Sequence, residues 1–297
     1  MRWPAAARRV MSSVPAMRIA VVGAGLMGAG MIRRLAMAGH DVHVFARTPA
    51  RADGLPCTLA PGAAEVADGA DILLLSVTDS QDVIEVVAAA MTAAAPPPII
   101  CDTSTIGPAA AREAAIIAAA AGSEYLDCPV SGGPPGADAG TLAVMIGGSN
   151  AGVARATPLL DVIGDPAKRV HCGPVGSGLV AKLVNNLLVA VIAAGTAEAF
   201  GIGQRAGVDP EVLVRVVQAS SGDSWQLRNL FPRVLEGDHA PRFRTRDLRK
   251  DLGHVRDLAG APLAIGDSAA ALFDDVDGAL DYGAVARLLM DLPEENS

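Results

Sequence analysis

Met17–Val22 is a short apolar run with β-branched residues, and it breaks at Gly23-Ala24-Gly25-Leu26-Met27-Gly28 before a helical pattern that lasts to about Ala38. A strand, a glycine-rich turn and a helix in that order leave few folds open. The first glycine permits a tight turn. The second lets another group approach the backbone, and the third lets the helix pack close on the strand. Gly39 ends the helix, and Asp41–Phe45 alternates toward a second strand. A glycine-rich turn with no ligand is the plain alternative. The flanking strand and helix are nevertheless the context in which such a turn cradles a pyrophosphate, because the first helical N–H groups have no intrahelical partner and favour an anion.

The alternation continues. Asp71–Val77, Ile99–Asp102, Tyr125–Pro129, Thr141–Ile146 and Arg169–His171 read as further strands separated by Ala-rich helices, which predicts a parallel sheet wrapped on both faces. From Gly176 onward the strand signals vanish. Helices are predicted over Ser177–Ala206, Pro210–Gln218, Trp225–Glu236, Leu248–Ala259, Pro262–Ala279 and Tyr282–Met290, with Pro210 and Pro262 suited to first turns. The expected organisation is a tail over residues 1–16, an α/β Rossmann domain over 17–175 and an all-α domain over 176–297. The long helix joins them. It would run ~45 Å at 1.5 Å per residue, as a bridge between domains or as the spine of a dimer.

The 297 residues leave room for two substantial cores. A net charge of −8, with no basic run beyond Arg8–Arg9, argues against a nucleic-acid partner. Cys57, Cys101, Cys128 and Cys172 form no CxxC pair and the histidines are scattered, so no metal site is expected. His40 and His43 read as turn and strand residues. Buried reduced thiols in a cytoplasmic protein are the expected state of the cysteines. No stretch reaches the ~18 uncharged apolar residues of a membrane span; the longest, Leu187–Ala197, stops at Glu198. The opening MRWPAAARRVMSSVPA has no secretory-type apolar core. It reads as a disordered tail or a start-site artefact, with Met11 or Met17 as the start, and a transit peptide is the compositional alternative.

The chemistry concentrates in four places. Pro174–Asn186 (PVGSGLVAKLVNN) runs from glycines into an apolar helix carrying Lys182 and Asn186, four apart and so on one face. A cation and an amide on a helix apolar nearly all round need a reason, since burying either without a partner is costly; a solvated helix face would also accept them, so a purely structural pair is the alternative. At the end of the second strand stands Ala46-Arg47-Thr48, with no acid for a ribose. An arginine there binds a 2′-phosphate, which points to NADP with NAD still open; an ordinary surface arginine is the alternative. Asp102-Thr103-Ser104-Thr105 closes a strand where ligands bind in such sheets, and helix capping by the hydroxyls is an equal reading. Asp127-Cys128-Pro129-Val130-Ser131-Gly132-Gly133 places a hydroxyl beside exposed backbone N–H groups, which makes a nest for a carboxylate or else a plain turn.

Together these residues resemble the β-hydroxyacid dehydrogenase family, which includes 3-hydroxyisobutyrate dehydrogenases and tartronate semialdehyde reductases. The matching motifs are GAGLMG, DTSTIGP at Asp102, DCPVSGG at Asp127, GTLAVMIGG at Gly140, GPVGSGLVAKLVNN at Gly173 and RKDL at Arg249, in family order from Met17 to Asp291. The resemblance implies a Rossmann domain followed by a helical domain. It implies hydride transfer between a nicotinamide cofactor and a small hydroxy acid or its semialdehyde, in a homodimer or homotetramer. By resemblance Lys182 is the general acid/base and Asn186 orients the substrate. Ser131, Gly132 and Gly133 hold the substrate carboxylate, with Lys250 close to the nicotinamide. Gly23, Gly25, Leu26, Met27, Gly28, Arg47, Thr48, Ser104 and Lys250 form the cofactor set, with Thr105 beside Ser104. A base within hydrogen-bond reach of the hydroxyl is what such a reaction requires. A lysine serves when desolvation or a neighbouring cation lowers its pKa.

The chain departs from the family at Ala46 and at Pro134-Pro135, which is expected to stiffen the loop after the glycine pair. Ser224–Asn229 and Gly237–Leu252 look most like sugar-acid members such as L-threonate dehydrogenases. Trp225 is expected at a pocket rim or domain interface, or else in the core. An imine reductase on the same scaffold, or a non-catalytic dinucleotide-binding protein, are the alternative functions. Lys182 argues against the first, and Lys182, Asn186 and Lys250 together argue against the second.

Overall fold

A computed structural model of the protein describes residues 15–292. Two compact units divide it, Met1–Lys182 and Leu183–Ser297. The expected tail, residues 1–16, lies almost wholly outside the described residues.

In the first unit, among the described residues, the strands are β1 (Arg18–Val22), β2 (Asp41–Phe45), β3 (Thr58–Leu59), β4 (Ile72–Leu75), β5 (Ile99–Asp102), β6 (Glu124–Asp127), β7 (Val130–Ser131), β8 (Leu142–Gly147) and β9 (Gly164–Gly173). They form one sheet in the order β3-β2-β1-β4-β5-β6-β8-β7, with β9 on β8. Pairing is parallel from β3 through β6. Alternate residues of β1 serve opposite faces: Ile19 and Val21 join one apolar cluster, Ala20 and Val22 the other. Helix α1 (Leu26–Met37) packs on the first face, with Met31, Ile32 and Leu35 in that cluster. Helices α2 (Ala63–Ala67), α3 (Ser80–Ala90) and α4 (Pro108–Ala120) supply the second. On α3 the buried set is Val83, Val87 and Ala90, spaced as one helical stripe.

The fully parallel expectation needs correction at one edge. β8 meets both β6 and β7 antiparallel, and β9 runs with β8. The connecting helix α5 (Gly133–Ala139) has 7 residues. It therefore spans about 10 Å, too little to return the chain to the opposite end of the sheet for a parallel partner. Pro134 and Pro135 lie in its first turn rather than in a loop. Helix α6 (Asn150–Ile163) and a ten-residue β9, longer than the expected Arg169–His171, complete the sheet region.

Helix α7 runs unbroken over Ser177–Arg205. A window of it has a mean hydropathy of 1.8, so by length and apolarity it passes as a membrane span, although Lys182 and Glu198 keep its longest uncharged run short of ~18 residues. Part of the apolarity is used inside the fold, while Val184, Leu188 and Ile202 are exposed. Leu179 belongs to the sheet core, and Ala190, Ala193, Ala194, Ala197 and Phe200 to the helical core.

The second unit is helical, as expected, but several boundaries differ. α8 spans Pro210–Gln218, opened by Asp209 accepting from Glu211 N. The expected Trp225–Glu236 helix is two, α9 (Trp225–Asn229) and α10 (Phe231–Leu235), because Pro232 can donate no N–H and its ring crowds the preceding turn. α11 begins at Thr245 rather than Leu248 and ends at Ala259. α12 is shorter than expected, Ala264–Asp274, with Pro262 before its first turn. Arg249 on α11 stops it there by donating to the carbonyls of Phe273 at 2.7 Å and Asp274 at 2.8 Å, and to that of Val276. Tyr282–Leu288 is 3-10 helix. Phe200 and Phe231 meet at 5.4 Å between ring centroids in this core.

Candidate active site

The strand order reverses direction between β1 and β4. Ligands bind outside the carboxyl ends of such a sheet at that switch point. Here the loops after four strands are tied together. Gly23 N donates to Phe45 O at 3.0 Å, and a Cβ on Gly23 would lie 2.2 Å from the Ser76 carbonyl oxygen. Val77 N donates to Ser104 Oγ at 3.0 Å. The turn after β1 therefore sits against the turns after β2 and β4, and the latter against the turn after β5.

The three glycines have three distinct surroundings. Gly23 has φ +104, a backbone that L side chains rarely adopt. A Cβ on Gly28 would stand 2.0 Å from Gly23 O, so only glycine allows α1 to start this close to β1. A Cβ on Gly25 would meet nothing within 4 Å. No side chain caps α1, and its first N–H groups open beside that empty space, with Leu26 exposed and Met27 half-buried. The arrangement fits a pyrophosphate on the helix N-terminus.

Arg47 follows β2, its side chain 80% exposed, and Nη1 contacts Asp82 Oδ1 at 2.7 Å. An ion pair this exposed is worth ~0–1 kcal/mol, so the guanidinium is readily given to another anion. Thr48 precedes a 3-10 turn over Pro49–Ala52. Ser104 is buried, and its hydroxyl accepts from Val77 N and bonds the Asp102 carboxylate. Asp102 holds this turn. Oδ1 accepts from Ser104 N at 2.9 Å and Oδ2 from Tyr125 Oη at 2.6 Å. Burial pushes its carboxyl up to about 6 against those hydrogen bonds, and the charge of Asp127 adds to the rise. The hydroxyls of this segment tie the ends of β4 and β5 together and cap no helix, since α4 opens at Gly107 with no side-chain cap.

Ser131 ends β7, opposite Ala143 of β8. Gly132 and Gly133 follow with φ +135 and +63, so the chain turns sharply around their N–H groups. Cys101 and Cys128 are buried in the sheet, and Cys57 and Cys172 are partly so; all four are free.

Lys182 and Asn186 occupy one face of α7, and both are buried. Asn186 Nδ2 donates to Asp251 Oδ2 at 2.6 Å, and its Oδ1 accepts from Asn185 at 3.1 Å. The other Asp251 oxygen lies 3.1 Å from Lys250 Nζ. Asp251 was not singled out from the sequence, although it stands inside the RKDL motif. Burial raises the carboxyl of Asp247, one turn back, against the charges of Arg246, Lys250 and Arg244. Trp225 is 65% exposed at the start of α9, which removes the core-packing reading for it.

Known proteins place this arrangement. The family described as the NAD binding domain of 6-phosphogluconate dehydrogenase matches residues 18–175. The family described as NAD-binding of NADP-dependent 3-hydroxyisobutyrate dehydrogenase matches residues 176–289. The 3-hydroxyisobutyrate dehydrogenase of Pseudomonas aeruginosa is 38% identical over 287 residues, 92% of this chain and 91% of that protein. The NAD-dependent L-serine dehydrogenase of the same organism is 36% identical over 257 residues, 82% of this chain and 86% of that protein. The solved structure of Mycobacterium tuberculosis 3-hydroxyisobutyrate dehydrogenase with L-serine is similar at a TM-score of 0.86 and 33% identity, over 93% of this chain and 100% of that one. With both halves matched and these relatives aligned along most of its length, the chain belongs to the β-hydroxyacid dehydrogenase family of NAD(P)-dependent oxidoreductases, which includes the 3-hydroxyisobutyrate dehydrogenases.

Proposed function

We propose that the protein interconverts a small 3-hydroxy acid and its semialdehyde, with Lys182 as general acid/base and NADP(H) as the preferred cofactor. The observation that carries this is the buried Lys182–Asn186 face of α7, with Asn186 held by Asp251. The nicotinamide supplies the hydride acceptor or donor when bound. What the chain's own residues do follows from their chemistry. Lys182 takes the hydroxyl proton in oxidation and returns it in reduction. Asn186 has its Nδ2 committed to Asp251, which fixes the amide plane and presents its oxygen in one direction. Ser131 and the N–H groups of Gly132 and Gly133 anchor the carboxylate. The relatives named for 3-hydroxyisobutyrate and L-serine support a hydroxyl β to a carboxylate as the substrate pattern. Arg47, with no acid at Ala46, supports NADP.

The test is a panel of small 3-hydroxy acids and semialdehydes assayed with both nicotinamide cofactors, on wild type and Lys182→Ala. Loss of a general acid/base is expected to lower kcat by ~10²–10⁴ with dinucleotide affinity retained. Near-wild-type turnover in the variant would remove Lys182 from the chemistry.

A further inference from the structure

Asp127 ends β6 and is 1% exposed. Its carboxylate accepts from Gly176 N at 2.7 Å and from Leu179 N at 2.9 Å. These are donors at the start of α7, where N–H groups have no intrahelical acceptor. Gly176 stands in the capping position, since its carbonyl accepts from Val180 N at 3.0 Å. A helix is ordinarily capped by a side chain from that position or beside it. Such a cap moves with its helix. Glycine offers none, and the acceptor here comes from a strand residue 49 positions earlier.

The carboxylate is also walled by backbone. A Cβ on Gly147 would lie 2.2 Å from Asp127 Oδ1. A Cβ on Gly178 would lie 2.9 Å from Oδ2 and 2.6 Å from Met145 O. The first turn of α7 is thus pressed flush against β6 and β8 with the charge of Asp127 at its positive end. Burial pushes the Asp127 carboxyl up, and the N–H groups of Gly176, Leu179 and Gly178 oppose that rise. From the same strand end the chain reaches Ser131 within four residues. Lys182 follows Leu179 by three, on the next turn of the helix.

We propose that Asp127 is a positioning residue that sets where the first turn of α7 sits on the sheet, and thereby the placement of Lys182 relative to Ser131. This rests on the reading of Lys182 as the proton-transfer group. Asp127 itself acts only through the helix.

Two variants of the full chain test it from opposite sides of the contact. Asp127→Asn keeps the volume but turns one acceptor into a donor that faces an N–H. Gly178→Ala keeps Asp127 and improves helix propensity, yet its methyl lifts the turn off Met145 and Asp127. Both are expected to lower kcat by ~10²-fold, the scale of a 1 Å misplacement, with KM and dinucleotide Kd within about threefold of wild type. Hydrogen exchange at the Gly176 and Leu179 amides is expected to quicken in Asp127→Asn. A folded variant of either kind with wild-type kcat overturns the proposal, even if its melting temperature has dropped. So does unchanged exchange at the two amides. Lys182→Ala, run alongside, separates the two readings. Retained turnover there removes Lys182 whatever the other variants do. Lost turnover there, beside an unaffected Asp127→Asn, removes the positioning role of Asp127 alone.

Discussion

Asn186 and Asp251 join two helices through one buried hydrogen bond of 2.6 Å, and the second oxygen of Asp251 holds Lys250 at 3.1 Å. Asp251 is therefore the hub that orients both a helix-borne amide and a lysine. Asp251→Ala strands the Asn186 amide in the interior, which should cost about 1–3 kcal/mol of unfolding free energy. Urea denaturation of Asp251→Ala, Asn186→Ala and the double variant measures the coupling, expected at ~0.5–3 kcal/mol. Strict additivity would show that the two side chains are neighbours without a shared energy.

Gly25 and Gly28 should fail differently. Gly25→Ala adds a methyl to open space at an ordinary φ of −73, so stability should stay within about 0.5 kcal/mol of wild type. Dinucleotide affinity should nevertheless fall, because the methyl occupies the approach to the helix N-terminus. Gly28→Ala drives a methyl into Gly23 O and should lower stability, by about 1–3 kcal/mol or more, as well as affinity. Melting curves with and without dinucleotide distinguish the two. Equal losses of stability would contradict the assigned roles.

Arg47→Asp should move preference from NADP(H) toward NAD(H). The new carboxylate would repel a 2′-phosphate and stand opposite Asp82, the present partner of Arg47. Side-by-side kcat/KM values for the two cofactors report the change. A wild type that already favours NAD(H) would refute the assignment of Arg47.

Asp102 predicts a pH dependence of stability. Its carboxyl stands at about 6 in the fold against an ordinary 3.8. The folded state thus keeps a proton that the unfolded chain has released between those values. This favourable contribution is fully present below the ordinary value and is lost as pH rises through about 6, a change of about 3 kcal/mol. Asp102→Asn retains an oxygen for Ser104 N and a donor for Tyr125 Oη, and it cannot ionise. Its stability relative to wild type should therefore rise between about pH 4 and about pH 7 in urea denaturation. A constant difference across that range would dismiss the account.

The local features were legible in the sequence. The glycine turn is a motif of adjacent residues, and Lys182 and Asn186 share a face by spacing alone. The alternation of strand and helix announced the α/β unit, and its end at Gly176 announced the helical one. What stayed hidden depends on distant partners. Asp251 lies 65 residues from Asn186, and no periodicity links them. Strands β3 and β7 have two residues each, too few for any alternation to show. The reversed direction of β8 follows from pairing, which a single strand's pattern does not encode. The break at Leu230 was within reach, since Pro232 signals it, but the surrounding apolar pattern reads through as one helix.

Arg249 gives the RKDL motif a divided meaning. Its guanidinium closes the end of α12, while the next two residues face the Asn186 pair. Three consecutive letters therefore answer to two unrelated demands. A descendant of this chain that lost the arginine would leave the carbonyls at the end of α12 without their donor, and one that lost the aspartate would leave the Asn186 amide without its acceptor.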